Sequence, residues 1–158
     1  MKLSLRSATF VAILGAAFCA GPAYSQAKPD FNGTWKLNTQ KSDFGTDTKP
    51  DSIVVKVELK NNVFKYVAQG VANGQDFEEE VEIPIDGKEH PGPGGFPGTM
   101  MMKWDGPAIA FELKTDDGTV VQAGLFKLSA DGKVATREVH GTSPNGGENK
   151  RLEVYDKQ

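Results

Sequence analysis

Hydrophobic and polar positions alternate along most of the chain after Gly33. In the segment SIVVKVELK, Ile53, Val55, Val57 and Leu59 fall on one face, and charged or small polar residues occupy much of the other. An apolar residue at every second position is typical of a strand that is half-buried in an antiparallel sheet. No later stretch shows the period of an amphipathic helix. The pattern therefore predicts an all-β protein.

Turn signals separate the alternating runs at short, fairly regular spacing. They are Asn61-Asn62, Asn73-Gly74, Asp86-Gly87, Asp105-Gly106, Asp117-Gly118 and Asp131-Gly132. Asn-Gly and Asp-Gly favour tight hairpins because these residues tolerate a positive φ. Between the turns we predict strands near 33–39, 52–60, 63–69, 76–85, 99–104, 108–115, 119–128, 134–140 and 148–156. Consecutive hairpins without a long crossover favour an antiparallel up-and-down β-barrel of about nine strands.

The N-terminal segment has the pattern of a secretory signal peptide. Two bases open the chain, residues 8–20 are an apolar run, and Ala23 and Ser25 provide small residues at the −3 and −1 positions. We predict cleavage after Ser25, which makes residues 1–25 the signal peptide and places the mature protein in the periplasm or outside the cell. The apolar run falls short of the roughly 20 residues of a membrane span. A retained N-terminal anchor is the alternative.

The predicted mature chain, residues 26–158, is about the size of one domain. The single cysteine of the protein, Cys19, leaves with the signal peptide, so no disulfide can form in an oxidising compartment. The full chain has a net charge of −3, and the loss of Lys2 and Arg6 makes it −5. A mildly acidic protein with no basic cluster is a poor candidate for binding nucleic acid or an anionic membrane.

Several segments in order resemble a family of small secreted bacterial lipocalin-like proteins. They are FNGTWKLNTQKSDFG (31–45), IDGKEHPGPGG (85–95), KWDG (103–106), LSADGK (128–133) and LEVYDKQ (152–158). Gly33-Thr34-Trp35 is similar to the Gly-x-Trp opening signature of lipocalins. The resemblance implies a calycin-type barrel with an internal cavity. It implies a fold more firmly than a function, since one fold supports many functions.

Trp35 is predicted to have a structural role. On an inward-facing strand position its ring can plug one end of a barrel, and its indole N–H then needs a hydrogen-bond acceptor. By the lipocalin resemblance, an arginine of the last strand packs over that ring, and Arg151 is the candidate. A cation over an aromatic face stabilises such a contact modestly.

The segment MMMKW admits two interpretations. On a strand, Met100, Met102 and Trp104 share one face, and Lys103 points to the other, so the methionines should point inward. Two thioethers with the imidazole of His90 could bind Cu(I), for which soft sulfur ligands are selective. Methionine is also an adaptable filler of apolar space. We favour the second interpretation and predict no metal and no cofactor.

An apolar lining is predicted inside the barrel, from residues that lie on the less charged sides of their strands. Its members are Val55, Val57, Phe77, Val81, Met100, Met102, Trp104 and Phe126. The leading hypothesis is therefore an exported binding protein for a small, mostly apolar molecule. A periplasmic protein–protein interaction module, inhibitor or chaperone-like, is the alternative, with its partner left open.

Catalysis has less support in the sequence. His90 and His140 are the only histidines, and neither His-Glu-x-x-His nor Gly-x-Ser-x-Gly occurs. Glu79, Glu112 and Glu138 stand out because an interior carboxylate would have a raised pKa and could act as an acid or base. The Gly- and Pro-rich stretch 89–98 cannot be a helix or a central strand, and we predict a surface connection.

Overall fold

The computed structural model describes residues 27–142 and 146–158, which form one antiparallel sheet. The predicted signal peptide lies outside the described residues. Ten strands follow one another: β1 (Gly33–Leu37), β2 (Ser52–Lys60), β3 (Val63–Ala72), β4 (Gln75–Pro84), β5 (Glu89–Pro91), β6 (Gly98–Asp105), β7 (Ala108–Thr115), β8 (Val120–Leu128), β9 (Val134–Thr142) and β10 (Glu148–Lys157). A single-turn 3-10 helix, Pro93–Gly95, separates β5 from β6.

The sheet curls into a nearly closed up-and-down barrel. Its strand order is β4-β3-β2-β1-β10-β9-β8-β7-β6-β5, so β1 pairs with β10 and every other neighbour in the sheet is also a neighbour in the chain. The two end strands, β4 and β5, are not hydrogen-bonded to each other. Instead, β4 lies against β6 and against the 3-10 helix. The barrel therefore has one seam that is closed without strand pairing.

The predicted all-β, antiparallel barrel is confirmed, with ten strands instead of about nine. Each of the nine predicted strands is present, with ends that differ by a few residues. The additional strand, β5, lies inside the stretch 89–98. It pairs only with β6, so Pro91 stands on a sheet edge, where a residue without an N–H is tolerated.

The hairpin between β2 and β3 shows how the local sequence fixes the turns. Asn61 and Asn62 both have positive φ, 51° and 63°, as a two-residue hairpin turn requires. Asn62 also connects distant parts of the chain. Its side-chain oxygen accepts a hydrogen bond of 2.9 Å from Trp104 Nε1, and its amide donates to the Ile85 carbonyl.

The barrel interior is filled in one half and partly empty in the other. We call the filled part the packed half. It is a cluster of buried residues: Phe31, Phe64, Val81, Ile83, Ile85, Met100, Met102, Ile109, Phe111 and Val139. Gly124 permits this packing, because a Cβ there would lie 2.8 Å from the Phe111 ring. Within residues 27–142 and 146–158, no helix is long and apolar enough to cross a membrane.

Candidate functional site

A cavity of about 200 Å³ is lined by residues of β1 to β4, β9 and β10, together with Phe31 and with Phe126 of β8. Its apolar wall consists of Phe31, Trp35, Ile53, Val55, Val57, Phe64, Ala68, Phe77, Phe126 and Ala135. Its polar wall consists of Tyr66, Glu79, Thr136, Arg137, Glu153 and Tyr155. Several wall residues, including Val55, Val57 and Phe77, are only half-buried, so the cavity reaches solvent.

Small side chains leave this space open. Ala68 on β3 lies opposite Val55 on β2, and Ala135 on β9 lies opposite Tyr155 on β10. In the packed half, Met102 lies opposite Phe111, so two large side chains meet there. The difference in side-chain volume between the two sets of strands places the void next to β2 and β3 instead of next to β6 and β7.

Half of the predicted lining residues lie in the cavity wall. These are Val55, Val57, Phe77 and Phe126. Whether they bind a ligand stays a prediction, but their position is that of a binding wall.

The other four predicted lining residues, Val81, Met100, Met102 and Trp104, are not in the wall. Val81 and Met102 are essentially fully buried, at 1% and 0% exposure, and Met100 lies beside them in the packed half. Trp104 packs against that cluster. Strand alternation separates the inward from the outward face, but it does not tell which interior positions face a void.

Trp35 is buried at 2% exposure, and its Nε1 donates a hydrogen bond of 3.0 Å to the Phe31 carbonyl. The cation over its ring is Lys157, whose Nζ lies 5.1 Å from the ring centre. The expectation that Arg151 packs there is therefore corrected. Lys157 lies directly opposite Trp35 in the β1–β10 ladder, whereas Arg151 is six residues away along β10.

Arg151 makes its ionic contacts away from Trp35, nearer the start of β10. Its guanidinium contacts the Asp47 carboxylate, and its Nε lies 3.6 Å from Glu153 Oε1. Asp47 reaches it because the chain after β1 continues along β10, where Asp43 bridges to Leu152. Arg151 therefore fastens this connecting segment to the barrel.

The same Glu153 carboxylate also takes part in ionic contacts inside the cavity. Arg137 Nη1 on β9 is 3.3 Å and 3.4 Å from the two carboxylate oxygens of Glu153, its partner across the β9–β10 ladder. Tyr155 donates a hydrogen bond of 2.8 Å to the same carboxylate. The Arg137 guanidinium also lies 5.3 Å and 5.8 Å from the ring centres of Phe111 and Phe126. Glu153 is 7% exposed, so this carboxylate is compensated by hydrogen bonds instead of water.

Burial sets the protonation of the two tyrosines of the wall. Loss of hydration raises the pKa of Tyr155, and the Glu153 carboxylate raises it further. Burial also raises the pKa of Tyr66, against the opposing effect of Arg137. Both hydroxyls are therefore neutral hydrogen-bond donors at physiological pH.

Glu79 is the solvent-exposed member of the wall. It lies opposite Ala68 in the β3–β4 ladder, and its Oε1 accepts a hydrogen bond of 3.3 Å from the Tyr66 hydroxyl. Glu79 lies on the same side of β4 as the apolar residues Phe77 and Val81, as the alternation of that strand predicts. Glu112 and Glu138 are different, because they pair with Lys114 at 2.9 Å and with Lys127 at 2.7 Å, outside the cavity wall.

The sequence reasoning missed Arg137, Glu153 and Tyr155. The alternation of β10 could have identified two of them. Every second residue of a strand points to the same face, so an inward Arg151 requires Glu153 and Tyr155 to point inward too. The apolar residues Leu152 and Val154 face the other side. Val154 is nevertheless buried, since the segment after β1 covers it: Asn38 N–H donates to the Val154 carbonyl, and Val154 N–H donates to the Ser42 hydroxyl.

His90 lies opposite Met100 in the β5–β6 ladder, and its imidazole contacts the Asp86 carboxylate. Its Nε2 lies 2.9 Å from Asp86 Oδ1. This hydrogen bond is the main cause of a lowered pKa of the Asp86 carboxyl. Within residues 27–142 and 146–158, no group of three or more His, Cys, Asp or Glu side chains could hold a metal ion.

No protein-family model matches the sequence, and no curated protein matches it. The structure is similar to the crystal structure of zebrafish ileal bile acid-binding protein complexed with cholic acid. The TM-score is 0.54 at 11% identity, over 81% of this chain and 98% of that one. At this identity the likeness establishes the fold alone. The chain folds as a calycin-type β-barrel.

Proposed function

We propose that this protein is an exported carrier that binds one small, mostly apolar molecule inside its barrel. The observation that carries the proposal is the uneven filling of the interior. One half is close-packed, and the other keeps a cavity of about 200 Å³ with a mostly apolar wall. The structural neighbour was crystallised with cholic acid, which supports small-ligand binding by a barrel of this fold. The proposed role is binding without catalysis.

The cavity volume limits the ligand size. An apolar cavity of about 150 Å³ accepts benzene, so the cavity here suits a chain of about eight carbons or a small ring system. Each buried methylene contributes about 0.8 kcal/mol, so an octyl chain could gain about 6 kcal/mol at most. That corresponds to a Kd of the order of tens of micromolar.

Binding can be followed by the fluorescence of Trp35, because this residue lines the cavity and Trp104 does not. A Trp104→Phe variant leaves Trp35 as the single tryptophan. We expect a saturable change in its emission when 1-octanol or a fluorescent apolar probe is added. No saturable change with either ligand would contradict the carrier proposal and favour the protein-interaction class.

Two neighbouring valines provide a matched test of the binding place. Val55 lines the cavity, whereas Val54 is exposed at 39% on the outer face of the same strand. We expect Val55→Phe to fill the cavity and to lower octanol affinity at least tenfold. Val54→Phe should leave the affinity unchanged. Equal effects of the two variants would place the ligand somewhere else.

Export and membership of the lipocalin-like bacterial family are further parts of this proposal. The signal-peptide pattern of residues 1–25 and the segments that resemble the family support them. We expect the protein from the periplasm or the medium of an expressing bacterium to begin at Gln26. An intact mass that retains residues 1–25 would support the anchored alternative.

A further inference from the structure

The wall of the cavity is rich in aromatic rings. Phe31, Phe64, Tyr66, Phe77, Phe126 and Tyr155 all contribute to it, together with Trp35. The face of an aromatic ring carries negative charge density and attracts a cation. A cavity wall of this kind can accept an apolar molecule and also a positively charged group at its edge.

The two arginines near the cavity are already paired with carboxylates. Arg137 contacts both oxygens of Glu153, and Arg151 is held by Asp47 with Glu153 3.6 Å away. A ligand carboxylate that approached Arg137 would meet the buried Glu153 carboxylate beside it. Like charges in a low-dielectric site repel strongly, so this wall disfavours an anionic ligand.

The carboxylate at the solvent-exposed part of the wall has no such partner. Among the residues that the structure describes, Glu79 forms no ion pair and accepts one long hydrogen bond, from Tyr66. Its neighbours on the outer face are occupied. Glu80 and Glu82 contact Lys65 at 2.5 Å and 3.5 Å, and Glu78 accepts a hydrogen bond from Gln69.

We propose that the cavity binds an amphipathic amine, with its ammonium group between Glu79 and the Tyr66 ring and its apolar part among the aromatic side chains. This inference rests on the carrier function proposed above. Arg137, Glu153 and Glu79 are the charged residues of the wall, and they sum to a net charge of −1. A single ammonium group neutralises that charge, whereas a carboxylate doubles it.

Three ligands with the same chain length test the proposal: octylamine, 1-octanol and octanoate at pH 7. Octylamine is then charged like a lysine side chain. Their dissociation constants are measured with the Trp104→Phe protein. We expect octylamine to bind about tenfold more tightly than 1-octanol, and octanoate to bind more weakly than both.

Two adjacent glutamates separate a local effect from a general attraction of amines to an acidic protein. Glu79→Gln and Glu80→Gln remove the same charge, but only Glu79 lines the cavity. We expect Glu79→Gln to abolish the preference for octylamine over 1-octanol. Glu80→Gln should preserve the preference.

The outcomes distinguish this inference from the carrier function itself. If 1-octanol binds but octanoate binds as tightly as octylamine, the amine inference is overturned and the carrier function stands. The same follows if both glutamate variants keep the preference, or if both lose it. If none of the three ligands binds, the carrier function fails and the inference fails with it.

Discussion

Replacing Met102 with alanine should destabilise the barrel strongly without weakening ligand binding. Met102 is completely buried and packs opposite Phe111. The substitution removes three heavy atoms, which loses about 2.4 kcal/mol at roughly 0.8 kcal/mol for each methylene-sized group. A void of roughly 60 Å³, the space of two water molecules, adds about 1.4 kcal/mol at 24 cal/mol per Å³. The expected loss is about 4 kcal/mol.

Met101 provides the control for this prediction. It follows the opposite parity on β6, lies opposite Glu112 and is only half-buried, so Met101→Ala should cost less than about 1 kcal/mol. The free energy of unfolding is measured by urea denaturation and circular dichroism, and the octanol affinity is measured on the same samples. A larger loss of unfolding free energy for Met101→Ala than for Met102→Ala would mean that β6 is shifted by one residue, which exchanges its two faces. A tenfold loss of octanol affinity in Met102→Ala would show that Met102 lines the cavity after all.

Three further predictions follow from the described contacts. Trp35→Phe removes the hydrogen bond from Nε1 to a backbone carbonyl and should lower the free energy of unfolding by about 1–2 kcal/mol; an unchanged urea midpoint would contradict this. Asp117 and Asp131 each accept a hydrogen bond from a hydroxyl two residues earlier, and this bond is the main cause of a carboxyl pKa below the usual 3.8. The stability that these bonds contribute is therefore present above about pH 4 and is lost as the pH falls through the lowered pKa. In a variant with Asp→Asn at both positions, the free energy of unfolding should decrease less on acidification than in the parent protein. The protein should take up no stoichiometric Cu(I) against a moderate competitor; tight uptake that disappears when Met100 and Met102 are both changed to leucine would support the copper hypothesis.

Alternation predicted the strands well because each strand of this barrel has one face toward the interior. The nine predicted strands are all present, and β2 follows the pattern without exception. The short strand β5 was missed because three residues are too few to show a period. It forms through pairing with β6, and that partner cannot be recognised from the local sequence.

The candidate site was predictable only in part. Alternation placed Val55 and Val57 on the inward face of β2, and they line the cavity because small residues such as Ala68 leave the space beside them open. The same rule placed Met102 inward correctly but could not tell that its space is filled by Phe111 from another strand. Glu153 was not predicted to line the cavity, because charged residues at alternate positions of a strand are also typical of a face exposed to solvent. Its burial depends on Arg137 of the neighbouring strand.

The pairing of β1 with β10 has a consequence for how the barrel folds. The other eight ladders of the described sheet join strands that follow each other directly in the chain, so their pairing needs only a local connection. The β1–β10 ladder joins residues about 120 positions apart, and loop closure of that length is slow compared with hairpin formation. The cavity wall draws on both sides of this ladder, through Trp35 and Tyr155. The cavity wall is therefore complete only when β1 and β10, the first and last strands of the described sheet, have paired.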